Sequence, residues 1–384
     1  MRKMAVLHSG DLESVSMGGI SEYIEKLIKC NQDYEIDVYG TCMPGDYILG
    51  KVYNRSVDGK NYRYIPITNT KRHPLSVYYF FKLFGYKKIL SDYDVIYAQR
   101  LEYVLPFRFS SLRKKTVFAI HGSGCYAQLG WNKFISLIYL RLEKIAIKTA
   151  KMVIVLLKRE EFGLPYYRNK YKKYSYKFEY GKVPIDIDLF KKVNKVDARN
   201  ECGLSQDEFI ISFWGRIDDN PKRVLLFPNI IKSLHDKGYN AKLLMIGEGR
   251  SVDEMKSKLK EQKISNNVMF TGRLDHGDML CNYISSSDVS LVLSTFEGIC
   301  MSALESLACG VPVIATDVGD IHDYIKDGNN GWVIPNDNDE SIVKNTTDII
   351  VGMINGERTN VDEAYMQYAS SQAMGELFDL LKKI

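Results

Sequence analysis

The segment from residue 288 to residue 335 constrains the fold more than any other part of the chain. It reads DVSLVLSTFEGICMSALESLACGVPVIATDVGDIHDYIKDGNNGWVIP, which predicts a strand, a loop, a helix, a strand and a loop. The run from Val289 to Leu293 is short and apolar, as in buried parallel strands, and Gly310 with Pro312 ends the predicted helix. A strand, a crossover helix and a second strand are the repeating unit of an open parallel sheet. We therefore expect an α/β layer structure.

The loop of this unit carries polar groups at the edge where open parallel sheets bind ligands. Glu297 follows the carboxyl end of the first strand, beside Gly298, and Ser302 is a candidate cap for the helix. The amino end of that helix, with its unpaired N–H groups, would attract a phosphate. Glu305 is a second carboxylate, eight residues after Glu297. Carboxylates beside a phosphate site suggest recognition of sugar or ribose hydroxyls.

Both carboxylates also have a structural interpretation. Ser302 and Glu305 have the spacing of a capping box, which would only satisfy the helix end. Glu297 could be a solvated acid of a surface loop. The two residues alone leave these alternatives open.

A longer set of motifs resembles one known family. EGICMSALESLACGVPVIATDVG is similar to the donor-site signature of the retaining glycosyltransferases of family 4, whose two glutamates are eight residues apart. FIISFWGRIDDNPKR resembles the family's strand that ends in Gly-Arg and is followed by a Lys, here Gly215, Arg216 and Lys222. KLLMIGEGR and VMFTGRLDHGDMLCNYISSSDVSLVLST follow in the family's order. The resemblance is strong from about residue 207 to 335 and weaker, but collinear, in the first half.

The resemblance implies the GT-B fold, which consists of two Rossmann-like, doubly wound parallel-sheet domains facing across a cleft. Alternating strand and helix patterns in both halves agree with this expectation. We expect an acceptor-binding domain at 1–190 and a donor-binding domain for a nucleotide sugar at 191–360. Residues 361–384 are predicted to form a helix that crosses back to the first domain.

The resemblance also implies the roles of individual residues. Arg216 and Lys222 are expected to neutralise the leaving phosphates, and Glu297 to hold hydroxyls of the donor sugar. The spacing of the two cations is one residue longer than is usual in the family, so Arg223 could share the role of Lys222. The catalytic candidates are His121, Arg216, Lys222 and Glu297. The donor-binding candidates are Gly18, Gly19, Arg273, Gly298, Ile299, Cys300, Met301, Ser302 and Glu305.

Three of these candidates lie in the first half of the chain. Gly18 and Gly19 precede a predicted helix, where backbone amides could approach a diphosphate or an acceptor, although glycine pairs are also common in turns. His121 follows the apolar strand VFAI at a carboxyl edge. A lone histidine is more often a satisfied polar residue, but related enzymes have one here that contacts the donor sugar near the reacting carbon.

The sequence predicts no metal site and no cofactor besides the nucleotide sugar. Asp92-Tyr93-Asp94 has the Asp-x-Asp form of metal-dependent glycosyltransferases, but it precedes its strand and lies at the wrong edge for a ligand. Gly247-Glu248-Gly249 lacks the third glycine of a dinucleotide fingerprint. The seven cysteines show no zinc or redox spacing, and we interpret them as reduced thiols.

Charge is distributed unevenly and bears on the partners. Residues 1–190 carry 31 Lys and Arg against 18 Asp and Glu, so this half is basic whereas the remainder is acidic. The segments KRHPLSVYYFFKLFGYKKIL and YYRNKYKKYSYKFEY interleave basic and aromatic residues. They suit peripheral contact with a membrane and a lipid-linked acceptor, or simply a helix or strand packed on the sheet with lysines pointing outward. No nucleic-acid-binding module is recognisable, and no apolar run is long enough to span a bilayer or to form a signal peptide.

Together these observations predict a cytoplasmic, retaining, metal-independent hexosyltransferase, with a location on the inner face of the cytoplasmic membrane as one option. It would move a hexose or N-acetylhexosamine from a nucleotide-diphosphate sugar, UDP-linked rather than GDP-linked, to a glycan or lipid-linked saccharide in polysaccharide or glycoconjugate synthesis. Two rivals stay open. The chain could be a non-catalytic partner that binds a sugar nucleotide or glycan, or another enzyme of this architecture, such as a phosphorylase or an epimerase.

Overall fold

The computed structural model describes residues 1–13, 19–71, 74–121, 132–274, 277–357 and 359–384. The chain divides into two compact domains: residues 1–184 together with 370–384, and residues 185–369. These limits differ from the predicted limits, 190 and 360. Ile185 already belongs to the second domain, because its amide donates to the carbonyl of Tyr368 at 2.7 Å and both side chains enter the same core.

The first domain is built on an eight-stranded sheet with the order β3-β4-β2-β1-β5-β6-β7-β8. All neighbouring strands are parallel except β3 and β4, which form an antiparallel hairpin at one edge. The strands are β1 (Arg2–Leu7), β2 (Tyr34–Cys42), β3 (Tyr53–Val57), β4 (Lys60–Asn69), β5 (Val95–Ala98), β6 (Thr116–Ile120), β7 (Met152–Val155) and β8 (Phe178–Tyr180).

Helices cover this sheet and enclose two apolar cores. They are α1 (Gly19–Lys29), α2 (Leu75–Leu90), α3 (Leu101–Val104), α4 (Lys133–Thr149), α5 (Leu164–Lys170) and α13 (Ser370–Leu381). α13 packs against α1, and its buried side chains Met374, Leu377, Phe378 and Leu381 fill one of the cores. The first domain therefore draws its core from two separate parts of the chain.

The second domain is built on a fully parallel six-stranded sheet with the order β11-β10-β9-β12-β13-β14. Its strands are β9 (Phe209–Trp214), β10 (Ala241–Ile246), β11 (Val268–Gly272), β12 (Val289–Val292), β13 (Val313–Thr316) and β14 (Gly331–Ile334). This is the doubly wound order, in which the direction of winding reverses between β9 and β12. Ligands of such sheets bind outside the carboxyl ends of the strands at this switch point.

The helices of the second domain alternate with its strands, and apolar cores lie on both faces of the sheet. They are α6 (Lys195–Glu201), α7 (Asp219–Lys222), α8 (Phe227–Asp236), α9 (Val252–Glu261), α10 (Asp278–Ser285), α11 (Met301–Ala308) and α12 (Asp339–Ile354). The strand–loop–helix–strand unit predicted for residues 288–335 is therefore β12, its loop, α11 and β13.

Two features differ from the predicted elements. The β3–β4 hairpin was not predicted; it turns at Asp58 and Gly59, which both have positive φ angles, as a two-residue hairpin turn requires. The final helix begins at Ser370 rather than near residue 361, because residues 364–368 form a 3₁₀ turn that packs on the second domain.

No helix in the described ranges is both long enough and apolar enough to cross a membrane.

Candidate active site

The second domain brings several predicted site residues to the switch point of its sheet. β9 and β12 are neighbours, although residues 215–288 separate them in the chain. The chain leaves β9 through Gly215 and Arg216, and it leaves β12 toward Glu297. Because both strands are parallel, these residues lie at the same carboxyl edge. The sheet order thus places Arg216 and Glu297 on neighbouring strand ends.

An ion pair joins the two loops at this edge. The Nζ atom of Lys222, at the end of α7, lies 2.5 Å from Oε1 of Glu297, and the hydroxyl of Ser294 donates to the same oxygen at 2.7 Å. Burial lowers the pKa of Lys222, but the charge and hydrogen bond of Glu297 together with the charge of Cys300 raise it by more, so this pKa lies above its ordinary value. Lys222 therefore remains a cation at physiological pH. The amide of Thr295 also donates to the carbonyl of Pro221 at 2.8 Å, which fixes the two loops together.

The neighbouring cation, Arg223, points to a different part of the domain. Its backbone is left-handed, with φ at +48°. Its guanidinium donates to Oδ1 of Asn336 at 2.7 Å and lies 3.6 Å from a carboxylate oxygen of Asp339. Of the two candidates raised by the unusual spacing, the structure therefore puts Lys222, and not Arg223, beside Glu297. The contact of Lys222 with phosphate stays a prediction.

Arg216 is the more accessible cation of the site. Its side chain is 66% exposed, and its Nε atom lies 3.0 Å from Oδ2 of Asp218. Burial alone would raise the pKa of Asp218. The hydrogen bonds from Arg250 and the charges of Arg216 and Arg250 outweigh burial, so the pKa of Asp218 lies below its ordinary value. Gly249 packs tightly on this loop, since a Cβ there would overlap the carbonyl of Ile217. The Gly-Glu-Gly turn after β10 thus supports the Arg216 loop.

The backbone of residues 297–300 is held by the segment that follows β13. Gly319 has a φ of +52°, and a Cβ atom at this position would overlap the carbonyl oxygen of Gly298. The amide of Cys300 donates to the hydroxyl of Tyr324 at 3.2 Å. Gly298, Ile299, Met301 and Ser302 are half-buried, whereas Cys300 is buried. The predicted donor-binding backbone is therefore a defined loop with accessible positions.

The start of α11 corrects the prediction that Ser302 caps this helix. Cys300 is the N-cap residue and no side chain provides a capping hydrogen bond. Ser302 lies inside the first turn, where its hydroxyl is 3.2 Å from Sγ of Cys300. The capping prediction is wrong because the helix begins at Met301, one residue before the supposed cap. The capping-box interpretation of Glu305 is wrong for the same reason.

Glu305 lies on α11 with its side chain completely buried, at 0% exposure. Its neighbours on the helix, Ala303, Leu304 and Leu307, belong to the apolar core on one face of the sheet. Full burial is rare for glutamate, since the charged form must be compensated in the protein interior. Its predicted contact with a nucleotide ribose stays a prediction.

Of the first-domain candidates, His121 lies at the carboxyl edge of the first sheet. Nε2 of His121, just after β6, is 2.6 Å from Oε1 of Gln99, and the ring meets Tyr23 edge-on at 5.1 Å between centroids. Burial, together with the charge of His8, lowers the pKa of His121 to about 3. The imidazole is therefore neutral at physiological pH. Gly19 is the first residue of α1, with open space where a Cβ atom would lie, and Gly18 lies outside the described residues.

Arg273 follows an edge strand, not one of the two strands at the switch point. It is exposed and follows β11, an edge strand that β10 separates from β9. The sheet does not bring it beside Lys222 and Glu297. The sequence alone could not show this placement, because it depends on the order of the strands in the sheet.

No cluster of three or more metal-ligating side chains occurs in the part of the chain that the structure describes. The carboxylate of Asp94 accepts a hydrogen bond from the amide of Lys3 at 2.8 Å, at the amino end of β1. This contact agrees with the structural interpretation of the Asp-x-Asp motif. Metal independence itself stays a prediction.

Three residues of the site were not singled out from the sequence. Ser294 binds Glu297, Tyr324 binds the Cys300 amide, and Gly319 supports Gly298. Gly319 could have been found from the sequence, because it is the last residue of the signature segment, which ends in Asp-Val-Gly. Ser294 and Tyr324 carry no local signal, since their roles depend on contacts across the domain.

The second domain is similar to known glycosyltransferases. Residues 194–362 match a family model described as glycosyl transferases group 1. The second domain belongs to the group 1 glycosyltransferases. The group 1 match extends over nearly all of residues 185–369, the domain that holds Lys222 and Glu297.

One relative of this chain is an uncharacterized glycosyltransferase of Methanocaldococcus jannaschii, 29% identical over 196 residues. The match covers 51% of this chain and 46% of the relative, so the chain spans about half the length of this curated relative.

Two solved structures resemble this chain over its whole length. Sucrose-phosphate synthase of Thermosynechococcus elongatus has a TM-score of 0.79 at 19% identity, with 100% of this chain and 99% of the other covered. HepE of Anabaena, solved in complex with UDP-glucose, has a TM-score of 0.73 at 14% identity, with both chains fully covered. The fold, two parallel-sheet α/β domains, is that of the GT-B glycosyltransferases.

Proposed function

We propose that this chain is a retaining glycosyltransferase of family 4 that uses a nucleotide-diphosphate sugar. The observation that supports this most is the Lys222–Glu297 pair at the β9–β12 switch point, with a cation, a carboxylate and the amino end of α11 on one edge of the sheet. A diphosphate needs cations and N–H donors, whereas a sugar needs hydrogen-bond acceptors. This edge offers both kinds of group a few ångströms apart.

The chemistry assigns different tasks to these groups. When the bond between sugar and diphosphate breaks, negative charge grows on the leaving phosphates and positive charge on the sugar ring. Lys222 and Arg216 would stabilise the phosphates, together with the N–H groups at the start of α11. Glu297 and the backbone of residues 298–301 would hold the sugar hydroxyls, and Glu305 the ribose. The ion pair of Lys222 and Glu297 would keep the two side chains oriented before the donor binds.

His121 would act as a neutral group near the sugar. Its pKa of about 3 keeps the ring uncharged, so it can exchange hydrogen bonds with a hydroxyl without adding positive charge beside a developing cation. A protonated histidine in that position would oppose the reaction. The depressed pKa therefore suits the role that the family resemblance implies.

The donor and acceptor are proposed as classes. UDP-sugars are favoured over GDP-sugars, which the complex of the structurally similar HepE with UDP-glucose supports. The transferred unit would be a hexose or N-acetylhexosamine, and the acceptor a glycan or lipid-linked saccharide in polysaccharide or glycoconjugate synthesis. We further propose that the reaction needs no metal ion and takes place in the cytoplasm, with peripheral contact to the membrane through the basic first domain.

The donor proposal is tested by measuring the melting temperature with UDP-, GDP- and ADP-sugars. A tightly bound donor stabilises the folded chain by mass action, by about 2.7 kcal/mol at 100 times its Kd. This stabilisation raises the melting temperature. The best donor is then offered with lipid-linked saccharides, and the anomeric configuration of the product is read by NMR. Retention with undiminished transfer in EDTA is expected. An inverted product or a requirement for metal would refute those parts of the proposal.

The main rival, a non-catalytic sugar-nucleotide or glycan-binding partner, is separated by the same assay. It would bind the donor without transfer or hydrolysis on any acceptor tested. A phosphorylase would instead need inorganic phosphate, and an epimerase would act without an acceptor.

A further inference from the structure

Helix α2 of the first domain has apolar side chains on two opposite faces. One face holds Tyr79, Leu83 and Leu90, which are buried in the core. The other face exposes Val77, Tyr78, Phe81, Phe84 and Ile89, with Phe81 exposed to 63%. A surface helix of a globular domain normally turns polar residues outward. The outward face of α2 is therefore unlike an ordinary solvated surface.

A second set of exposed apolar side chains lies on neighbouring segments. Phe109 is 89% exposed, and Phe134, Ile135, Leu137 and Ile138 of α4 are exposed as well. Both α2 and α4 pack against the short helical segment 101–107, and Phe109 closely follows that segment. We call these ten residues on α2, Phe109 and the start of α4 the aromatic face. Exposed apolar groups on helices that pack against the same segment indicate an interaction surface.

The charges around the aromatic face have one sign. Residues 75–90 and 133–142 contain no Asp or Glu, whereas Lys82, Lys88, Lys133 and Arg141 are all exposed there. The acids nearest in sequence lie just outside both runs. Asp92 and Asp94 follow α2, and Glu143 follows the second run but is buried and bound by Tyr167, Tyr171 and Lys170.

Two cations lie directly over exposed rings. Nζ of Lys87 is 4.4 Å from the ring centre of Phe84, and the guanidinium carbon of Arg108 is 4.9 Å from that of Phe109. Aromatic rings flanked by cations match the boundary between acyl chains and anionic headgroups of a bilayer.

The other basic aromatic segment does not form such a surface. Tyr167, Tyr171 and Phe178 of residues 166–180 stack on one another inside the core. The hydroxyls of both tyrosines donate to the buried carboxylate of Glu143. Only Tyr176 of this segment is a strongly exposed aromatic residue. The two segments have similar compositions, but their packing separates them.

We infer that the aromatic face docks on an anionic lipid bilayer, with the rings of α2, Phe109 and α4 in the interface and the lysines at the headgroups. The inference rests on the proposed function only in that a lipid-linked acceptor would be met at this surface. Charge complementarity selects the partner, because a neutral bilayer or an apolar protein surface would gain nothing from the one-sided cations.

The test is flotation of the full chain with vesicles of phosphatidylcholine alone or mixed with phosphatidylglycerol. Binding to the mixed vesicles is expected, and weaker binding to the neutral ones. The variants F81S/F84S and K82E/K88E should each lower the partition coefficient by about tenfold or more, since both the rings and the charges contribute. Raising the salt to about 0.5 M should weaken binding of the wild-type chain.

The matched control is Tyr176→Ser, which removes a similarly exposed aromatic ring from the other basic segment and should leave flotation unchanged. Each variant must keep the wild-type melting temperature, so that lost binding is not lost folding. The inference is overturned if neither vesicle floats the chain, or if both double variants float like the wild type. It is also overturned if the double variants instead dissolve a dimer seen by size-exclusion chromatography.

Failure of this inference can be told apart from failure of the proposed function. Stabilisation by a nucleotide sugar is measured without vesicles and involves the second domain. If vesicles bind but no sugar nucleotide does, the aromatic face stands as a docking surface and the transferase proposal falls. The reverse result removes the aromatic face as a docking surface and leaves the transferase proposal intact.

Discussion

At the scale of single residues, the site depends on which of two adjacent cations faces Glu297. Lys222 and Arg223 are neighbours in sequence, yet a left-handed residue at position 223 sends their side chains to different partners. The sequence could name the pair but could not choose between them, because the choice is made by local backbone geometry. This difference supplies a matched pair of mutations.

We predict that Lys222→Ala lowers kcat for sugar transfer by about 10²- to 10³-fold, because a fixed cation opposite the leaving group is lost. Arg223→Ala, which removes an adjacent cation bound to Asn336 and Asp339, should change kcat little. Steady-state kinetics with the best donor measures both. Equal losses in the two variants would show that Arg223 shares the role.

His121 gives a prediction about acid stability. Its pKa is about 3 in the folded chain against 6.5 for the free side chain, so the unfolded state binds more protons between these values. The free energy of unfolding should therefore fall as the pH drops from 6.5 towards 3, with a contribution of up to about 1.4 kcal/mol per pH unit from this residue.

His121→Asn should make that acid dependence shallower than it is in the wild-type chain. Urea unfolding between about pH 4 and 7 provides the comparison, because this range lies mostly between the folded and unfolded pKa values of His121. An unchanged slope in the His121 variant would mean that its imidazole is not held neutral. Burial also lowers the pKa of His8, to about 4. His8 therefore makes the free energy of unfolding fall with decreasing pH in the wild type and the variant alike.

At the scale of elements, the donor loop is shaped by a backbone contact that only glycine permits. Gly319 combines a positive φ with direct contact to the carbonyl of Gly298, whereas Gly328 has a φ of +72° and open space around it. An alanine at either position would strain the backbone, but only at position 319 would it also overlap another residue. Comparing the two substitutions therefore separates the effect of strain from that of steric overlap.

Gly319→Ala is expected to weaken nucleotide-sugar binding by about tenfold or more, because the loop of Glu297 and Gly298 must move away. Gly328→Ala should cost only the strain of a left-handed alanine, about 1 to 2 kcal/mol of stability, with donor affinity retained. Isothermal titration calorimetry and thermal unfolding distinguish the two effects. Unaltered donor affinity in the Gly319 variant would argue against the loop as the binding element.

Much of the element structure was predictable from periodicity, because the parallel strands of both sheets are short apolar runs. β1, β9 and β12 illustrate this, since most of their residues are buried. The β3–β4 hairpin was not predictable from the same signal, since β3 at the sheet edge has no buried residue. The start of α11 was also missed by one residue, because no side chain marks it.

Contacts between distant elements were beyond sequence reasoning. Cys281 on α10 and Cys309 after α11 have no recognisable spacing, yet their sulfur atoms lie 3.6 Å apart as free thiols. The pairs Tyr324–Cys300 and Ser294–Glu297 are of the same kind. Each depends on how α11 and the strands pack, which the family motif implies only as a whole.

At the scale of the whole molecule, the first domain is completed by α13. Phe378 is buried and stacks on Tyr34 of β2, with 5.9 Å between ring centres. We predict that Phe378→Ala destabilises the first domain by about 3 to 5 kcal/mol through the cavity that it leaves. Gln372→Ala, on the exposed side of the same helix, should be nearly neutral.

Hydrogen exchange read by mass spectrometry locates the effect of Phe378→Ala. Peptides from residues 1–184 should exchange faster, while peptides from residues 185–369 keep their protection. Uniformly faster exchange in both groups would mean that the two domains unfold as one unit.

The placement of α13 has a consequence for biosynthesis. A ribosome synthesises residues 185–369 before residues 370–384, so the sequence of the second domain is complete while the first domain still lacks one helix of its core. During this interval the apolar groups of α1 that α13 later covers are open to water and to chaperones. Maturation of the earlier-translated domain should thus lag behind that of the later one.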